Sequence, residues 1–390
     1  MLVATVVAAA GFLTTAVGTH RYGYRLGGTV VIGVLAVYTL KNFSTLPIFL
    51  GSTAISYVAL WLARRWTLIH GRDEFVLAIL AGSLLPATVF LYVAFLPESI
   101  QLSVFRSVFI GSLLSGIAAF NLHRIRPEHR GRDLTGSVVV YVGLLALGAL
   151  LVSPSTRFLA EYTPLVLFSA TSDIAVWRDA VVTGPVDPAF VGRPLMLGVF
   201  ALTLGLAEYV RKVYGVHVGA VVLGLLAIYT VSTWRLPALF LVTTGVVLAL
   251  VTALYRSSIL YGRALLSTGA ALGTVVAVPL SVALGTTSGI STLFTAVLAG
   301  IFAYYVHRVS ERDRYVQLSL AVGVFTLLLL IVRAIVAPAP EGVPQQFGFP
   351  EIVAGLAVVV AAFAVARYVA VRRPSNDAVR AASVFTRGGD

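Results

Sequence analysis

Residues 30–39 read VVIGVLAVYT and residues 221–230 read VVLGLLAIYT, seven identities in ten positions at an offset of 191. The offset holds at a second marker, where His70-Gly71-Arg72 is answered by Tyr261-Gly262-Arg263, each ahead of a long apolar run. Self-similarity of this kind reads as a tandem duplication, and an ancestral single copy is expected to have worked as an oligomer.

Outward from these stretches the chain stays apolar. Apolar residues make up 58% and charged residues 11%, and the mean hydropathy is +0.95. Water-soluble packing cannot hide that much apolar surface, so the chain belongs in a bilayer as an all-α polytopic membrane protein. Runs fit to cross about 30 Å of hydrocarbon are expected near 2–17, 27–40, 46–63, 75–96, 107–122 and 136–152. The second half offers 195–208, 217–230, 236–254, 265–283, 291–306 and 316–336, and a thirteenth segment follows at 351–370. The short alternating strands of a β-barrel are absent from the sequence. The first run has no basic residue ahead of it, so it reads as a retained helix and not a cleaved signal. With no cysteine, disulfides and thiolate metal sites are excluded.

Four domains follow: a first membrane repeat over 1–153, a polar interdomain linker over 154–194, a second repeat over 195–338, and an extra helix with a basic tail over 339–390. The linker carries Asp173, Asp179 and Asp187, and one interfacial helix is expected within 165–182. The tail beyond Arg372 reads as disordered.

A finer repeat lies within each half. The second and fifth segments share a phrase, Gly33-Val-Leu-Ala36, Gly116-Ile-Ala-Ala119, Gly224-Leu-Leu-Ala227 and Gly300-Ile-Phe-Ala303. Each half therefore reads as two three-segment units, and an odd count makes successive units face opposite ways. The same spacing also lets helices approach closely, which is a packing role and no more. If all segments cross, one set of alternate loops plus the tail holds 21 of the 28 lysines and arginines. That bias puts the N-terminus outside and the C-terminus in the cytoplasm of a multi-pass plasma-membrane protein.

The search for catalytic chemistry is negative. There is no phosphate-binding Gly-rich loop, no His-Glu-x-x-His and no nucleophile elbow, so no catalytic residue, metal or cofactor is expected. The basic face says more. Arg64, Arg65, Arg72, Arg124, Arg263 and Arg308 lie on it, with His123 and His307 beside matching helix ends, and arginine outnumbers lysine 26 to 2. Guanidinium forks suit carboxylates and phosphates, so this face is a candidate for a polyanion or an acidic partner, while anionic lipid explains it equally well. Arg106 stands on the opposite side at a helix start, against the helix dipole. Glu208, near a membrane interior, is either an ion site or the partner of Arg211 or Lys212 at helical spacing.

Taken in order, Gly23, Gly28 and Gly33, then Leu46-Pro47, His70-Gly71-Arg72 and Phe105-Arg106 ahead of a Gly-x-x-Ala helix, resemble the PgsC/CapC family of poly-γ-glutamate capsule synthesis. The second half echoes the pattern in Ala207-Glu208, Leu236-Pro237, Tyr261-Gly262-Arg263 and Gly300. The resemblance covers nearly all of 1–152 and 195–337. It departs at the family's Val-Pro-Gly turns, which stand here without proline as Val31-Ile32-Gly33 and Leu114-Ser115-Gly116, and Ile290 falls where a counterpart of Arg106 belongs.

What the resemblance implies is a membrane subunit, not catalytic by itself. It would work with a cytoplasmic ATP-dependent glutamate-polymerising amide ligase, an extracellular accessory subunit and the polymer poly-γ-glutamate. Association of copies as a homo-oligomer is left open, and nothing points to nucleic acid. The alternative is a secondary transporter for a small anionic solute on the same inverted repeats.

Overall fold

The computed structural model describes residues 1–94, 108–184 and 193–371, and among them there is no β-strand. Fourteen α-helices are described. In the first half they are α1 (Leu2–Tyr22), α2 (Val31–Lys41), α3 (Thr45–Trp66), α4 (Arg72–Ala94), α5 (Val108–Arg124) and α6 (Pro127–Leu151). A 3-10 turn (Pro154–Ala160) and the short α7 (Asp173–Trp177) follow. The remainder are α8 (Arg193–Tyr214), α9 (Ala220–Ser232), α10 (Arg235–Ser257), α11 (Gly262–Ala283), α12 (Gly289–Arg308), α13 (Glu311–Ile335) and α14 (Phe349–Val371). By length and composition, eight described helices suffice to cross a membrane: α1, α3, α6, α10, α11, α12, α13 and α14.

The second segment of each half is shorter than the sequence suggests. Helix was expected over 27–40 and 217–230, but α2 begins only at Val31 and α9 only at Ala220. The reason is the backbone ahead of each helix: Leu26, Gly27 and Gly28 before α2, and Gly215 and Gly219 before α9, all have positive φ, which an α-helix does not sustain. At 1.5 Å per residue α2 is about 16 Å long and α9 about 20 Å, each short of a hydrocarbon layer. All of α2 except Lys41 is buried. A short helix entered by irregular backbone survives at membrane depth only when protein surrounds it and satisfies its polar groups.

The chain forms two compact units that do not coincide with the sequence halves. Unit 1 comprises Met1–Pro188 and Ala238–Tyr304, and unit 2 comprises Ala189–Pro237 and Tyr305–Asp390. Residues 238–304 join the first half because α1 lies along α11. Elsewhere in unit 1, α1, α2 and α6 pack together, as do α3, α4 and α5. Phe240 of α10 meets Phe302 of α12 at 5.5 Å between ring centroids.

The connection from 154 to 184 is folded into unit 1. Its polar residues flank an apolar stretch, Val166-Leu167-Phe168, which is buried with Ile174, Ala175 and Ala180. The Asp173 carboxylate accepts the Phe43 amide at 2.7 Å, tying this segment to the turn after α2. The interfacial helix expected over 165–182 is confined to the five residues of α7.

In unit 2, α8, α9 and α13 pack together and α14 lies along α13. The segment after α13 folds over the C-terminal end of α9. There the Val343 amide donates to Thr230 O at 2.8 Å and the Ala339 amide to Val231 O at 3.0 Å. These bonds occupy carbonyls that a helix end otherwise leaves without partners. Glu341 pairs with Arg235 at 2.8 Å, and Arg333 donates to Pro344 O and Gln345 O.

The glycine of each Gly-x-x-Ala phrase sits at a helix crossing. A Cβ on Gly33 would lie 2.8 Å from Ala8 O of α1, and one on Gly116 would lie 2.6 Å from Ala78 O of α4. Gly224 abuts Thr203 of α8, and Gly300 abuts the Gly269 carbonyl of α11. The alanines Ala36, Ala119, Ala227 and Ala303 are each 0% exposed. Small residues here let backbones touch, which is the main source of helix adhesion where no hydrophobic effect operates between helices.

Candidate functional site

The connection between α1 and α2 is irregular backbone held from several sides. Helix α1 ends at Gly23, whose left-handed φ of 69° lets its amide turn back to Thr19 O and the following Tyr24 amide to Gly18 O, both at 3.2 Å. Three elements then fasten the connection. Asp133 of α6, 4% exposed, accepts the Arg25 amide at 2.6 Å and the Leu26 amide at 3.1 Å through one carboxylate oxygen. Ser267 of α11 donates to Thr29 O at 2.9 Å. Gly28 lies so close to α5 that a Cβ would come within 2.9 Å of the Asn121 amide nitrogen. The Asp133 contacts also explain how Leu26, a non-glycine residue, is kept at φ 45°.

Each of these tethers brings an arginine with it. Arg25 belongs to the connection, Arg124 ends α5 one turn past Asn121, and Arg263 stands one turn before Ser267 in α11. The Nη1 of Arg25 is enclosed and has no hydrogen-bond partner. Burial, then the neighbouring charges of Arg263 and Arg124, hold the Arg25 guanidinium below its usual pKa, and Asp133 acts in the opposite direction. Chemically this is a group of cations, Arg25 and Arg263 half-buried and Arg124 exposed, whose nearby carboxylates are already engaged, Asp133 by backbone amides and Glu74, beside Arg124, by Arg64.

Beside it lies a cluster built on one ion pair and one aromatic stack. Arg64 forms a two-pronged pair with Glu74, with bonds of 2.6 and 3.2 Å. His123 stacks on Tyr57 at 4.4 Å between centroids and its Nε2 lies 3.2 Å from Tyr57 O. Arg130 reaches the Tyr57 hydroxyl at 3.3 Å. These contacts staple the ends of α3, α4 and α5 to the start of α6.

Of the residues singled out in the sequence, Arg263 and Arg124 come together with Arg25, and Arg64 and His123 lie in the adjoining staple. Arg65 is separate, its guanidinium 5.6 Å from the Trp61 ring centroid. Arg72 begins α4 after Gly71 at φ 69°, and Arg263 follows Gly262 at φ 59°, so the glycine of the repeated triplet is left-handed both times. Arg106 falls outside the described residues. In unit 2, Arg308 is exposed at the end of α12, next to His307. Glu208 is engaged by Arg211, with Nε at 3.0 Å from Oε2, and by Lys212 at 3.7 Å. No group of three metal-ligating side chains occurs among the described residues.

Sequence reasoning missed Arg25 and Asp133. A signal existed. Asp133 is the seventh residue of α6, and the seventh of α13 is Gln317, which donates to His217 O at 2.6 Å in the connection before α9. A polar residue at the same register, where the charged first turns of the helix give way to its apolar body, thus grips the chain ahead of each short helix.

Residues 10–131 match the family model described as capsule biosynthesis CapC. No similar curated protein and no similar solved structure was found.

Proposed function

We propose that this chain, whose residues 10–131 are of the capsule biosynthesis CapC family, is the membrane subunit of a poly-γ-glutamate synthase and export complex. In this reading the chain does not make bonds itself. It supports polymerisation by a cytoplasmic ATP-dependent amide ligase, with an extracellular accessory subunit, and passes or anchors the polyanionic product. The observation that carries the proposal is the family match, which includes the connection bearing Arg25 and the end of α5 bearing Arg124. The arginine-rich face adds support, since a polymer of repeated carboxylates needs many cationic contacts and no deep apolar pocket.

The architecture proposed with it is a duplicated chain of inverted three-segment units with the C-terminus in the cytoplasm. Four glycine crossings support this layout, each joining the first and second or the fourth and fifth helices of a half. The lysine and arginine bias over alternate loops supports the orientation.

The test is to delete the gene and measure γ-linked glutamate polymer inside and outside the cell separately. Loss from both places is the result expected of a synthesis subunit, and internal accumulation with external loss is that of an export subunit. Unchanged polymer refutes the proposal. One feature favours a second reading: short buried helices entered by irregular backbone, as α2 is, recur in secondary transporters. Proton- or sodium-dependent uptake of a small anion by vesicles holding this chain alone is the result that reading requires.

A further inference from the structure

Some arginines at helix ends in this protein are paired with carboxylates. Arg64 has Glu74, Arg211 has Glu208 and Arg235 has Glu341. Arg25, Arg124 and Arg263 are brought near one another without such a pair among the described residues. The carboxylate among them, Asp133, spends Oδ1 on two backbone amides and forms no ion pair with any of the three among the described residues. Bringing like charges together in a half-buried place costs free energy. The fold accepts that cost and holds it in place, because the Arg25-bearing connection is tied to α6 by Asp133, to α11 by Ser267 and to α5 by the Gly28 contact. Nothing in α1, α2 or their packing requires cations there, since the backbone work is done by Asp133 and the left-handed residues.

The geometry points to Arg25, Arg124 and Arg263 as a binding site for adjacent carboxylates of an acidic polymer chain. This assignment rests on the proposed function for the identity of the polymer, but the site itself is read from the residues. Three forks around one engaged carboxylate leave a cationic surplus that a single monovalent ligand does not cancel, whereas successive carboxylates on one chain do. Guanidinium forks match carboxylates in a two-pronged way, and linked carboxylates bind with the advantage of high local concentration. An anionic lipid is the less suitable occupant. Lipid headgroups engage exposed arginines flanked by aromatics, as Arg65 is by Trp61 and Arg124 by Phe120, while Arg25 and Arg263, the other two members of the site, are half-buried. Arg124 is oriented across Phe120, 4.8 Å from its ring centroid, which restrains a side chain that otherwise pays entropy on binding.

The experiment uses the full chain in nanodiscs of zwitterionic lipid, with a fluorescent γ-linked glutamate oligomer as probe and anisotropy as readout. Wild type is expected to bind with a steep salt dependence. A paired Arg25→Gln, Arg263→Gln variant is expected to lose at least about tenfold in affinity, or roughly 1.4 kcal/mol. Arg178→Gln, an exposed site on the 154–184 segment, is expected to bind unchanged. Because a double loss of charge can disturb the connection, a paired Arg25→Lys, Arg263→Lys variant is measured too. It keeps the charge without the fork and is expected to fall between wild type and the glutamine pair. Oligomer affinity equal to wild type in both pairs overturns the site. So does a defect that appears only with phosphatidylglycerol nanodiscs, which identifies a lipid site. If the oligomer binds through these arginines and gene deletion leaves polymer unchanged, the site stands and the proposed function fails. If deletion abolishes polymer but the variants bind as wild type, the function stands and the site fails.

Discussion

Asp133→Ala removes the acceptor of two amides in the connection before α2, those of Arg25 at 2.6 Å and Leu26 at 3.1 Å. Hydrogen bonds to a charged group contribute about 1.5–3 kcal/mol each, so two give roughly 3–5 kcal/mol once some relaxation is allowed. The loss is local, because α1 and α2 keep their packing on each other, and it falls on backbone that Leu26 holds at an unfavourable φ. It is aggravated by the removal of the negative charge that acts on Arg25 and Arg263. At 1.4 kcal/mol per factor of ten, amide hydrogen exchange at Arg25 and Leu26 should accelerate by on the order of a hundredfold or more. Amides of α9 should serve as the unaffected internal reference. Asp133→Asn keeps an acceptor oxygen and should give a smaller acceleration, separating the geometry of the contact from its charge. If Asp133→Ala left exchange at both amides unchanged, the connection would not be held by this carboxylate, and the arginines beside it would not be fixed in the way argued above.

Gly300→Val drives a side chain into the Gly269 carbonyl and to within 2.9 Å of Ala270 Cα; a loss of about 3 kcal/mol should appear in thermal unfolding in detergent, while Gly143→Ala, which meets nothing within 4 Å, should unfold as wild type. Arg64→Ala strands Glu74, whose side chain is 7% exposed against 41% for Arg64; the exposed arginine end limits the cost to about 2 kcal/mol, and adding Glu74→Gln should restore part of the unfolding temperature. Because the chain has no cysteine, single cysteines report sidedness directly: one at Phe43 should react with an impermeant reagent added outside intact cells and one at Thr67 should not, and the reverse result inverts the proposed orientation.

Much of the helix pattern was legible because apolar period and small-residue spacing are local properties. The phrase repeated at Gly33, Gly116, Gly224 and Gly300 marked four crossings, with its alanine fully buried each time. The break before α2 was not legible, since Leu26 is an ordinary helix former and its positive φ follows from a contact 107 residues away. The cation group was half legible. Arg263 and Arg124 were visible as charges at helix ends, but whether such a charge is paired depends on long-range contacts: Arg64 is occupied by Glu74, and Arg124 is left near Arg25. The 154–184 segment reads as a polar linker because its aspartates and prolines mask Val166, Leu167 and Phe168, which are core residues.

The position of α11 along α1 has a bearing on how the protein is made. Helix α1 leaves the ribosome well ahead of α11, so the surface it rests on is not synthesised until residue 262 and beyond. Until then a face of α1 must be held by lipid or by a chaperone, and the connection carrying Arg25 lacks the Ser267 tether that helps to fix it. Contacts so distant in sequence form late and slowly. Maturation of unit 1 is therefore governed by the arrival of residues 238–304, and a product that terminates after residue 153 would be inserted but left incomplete.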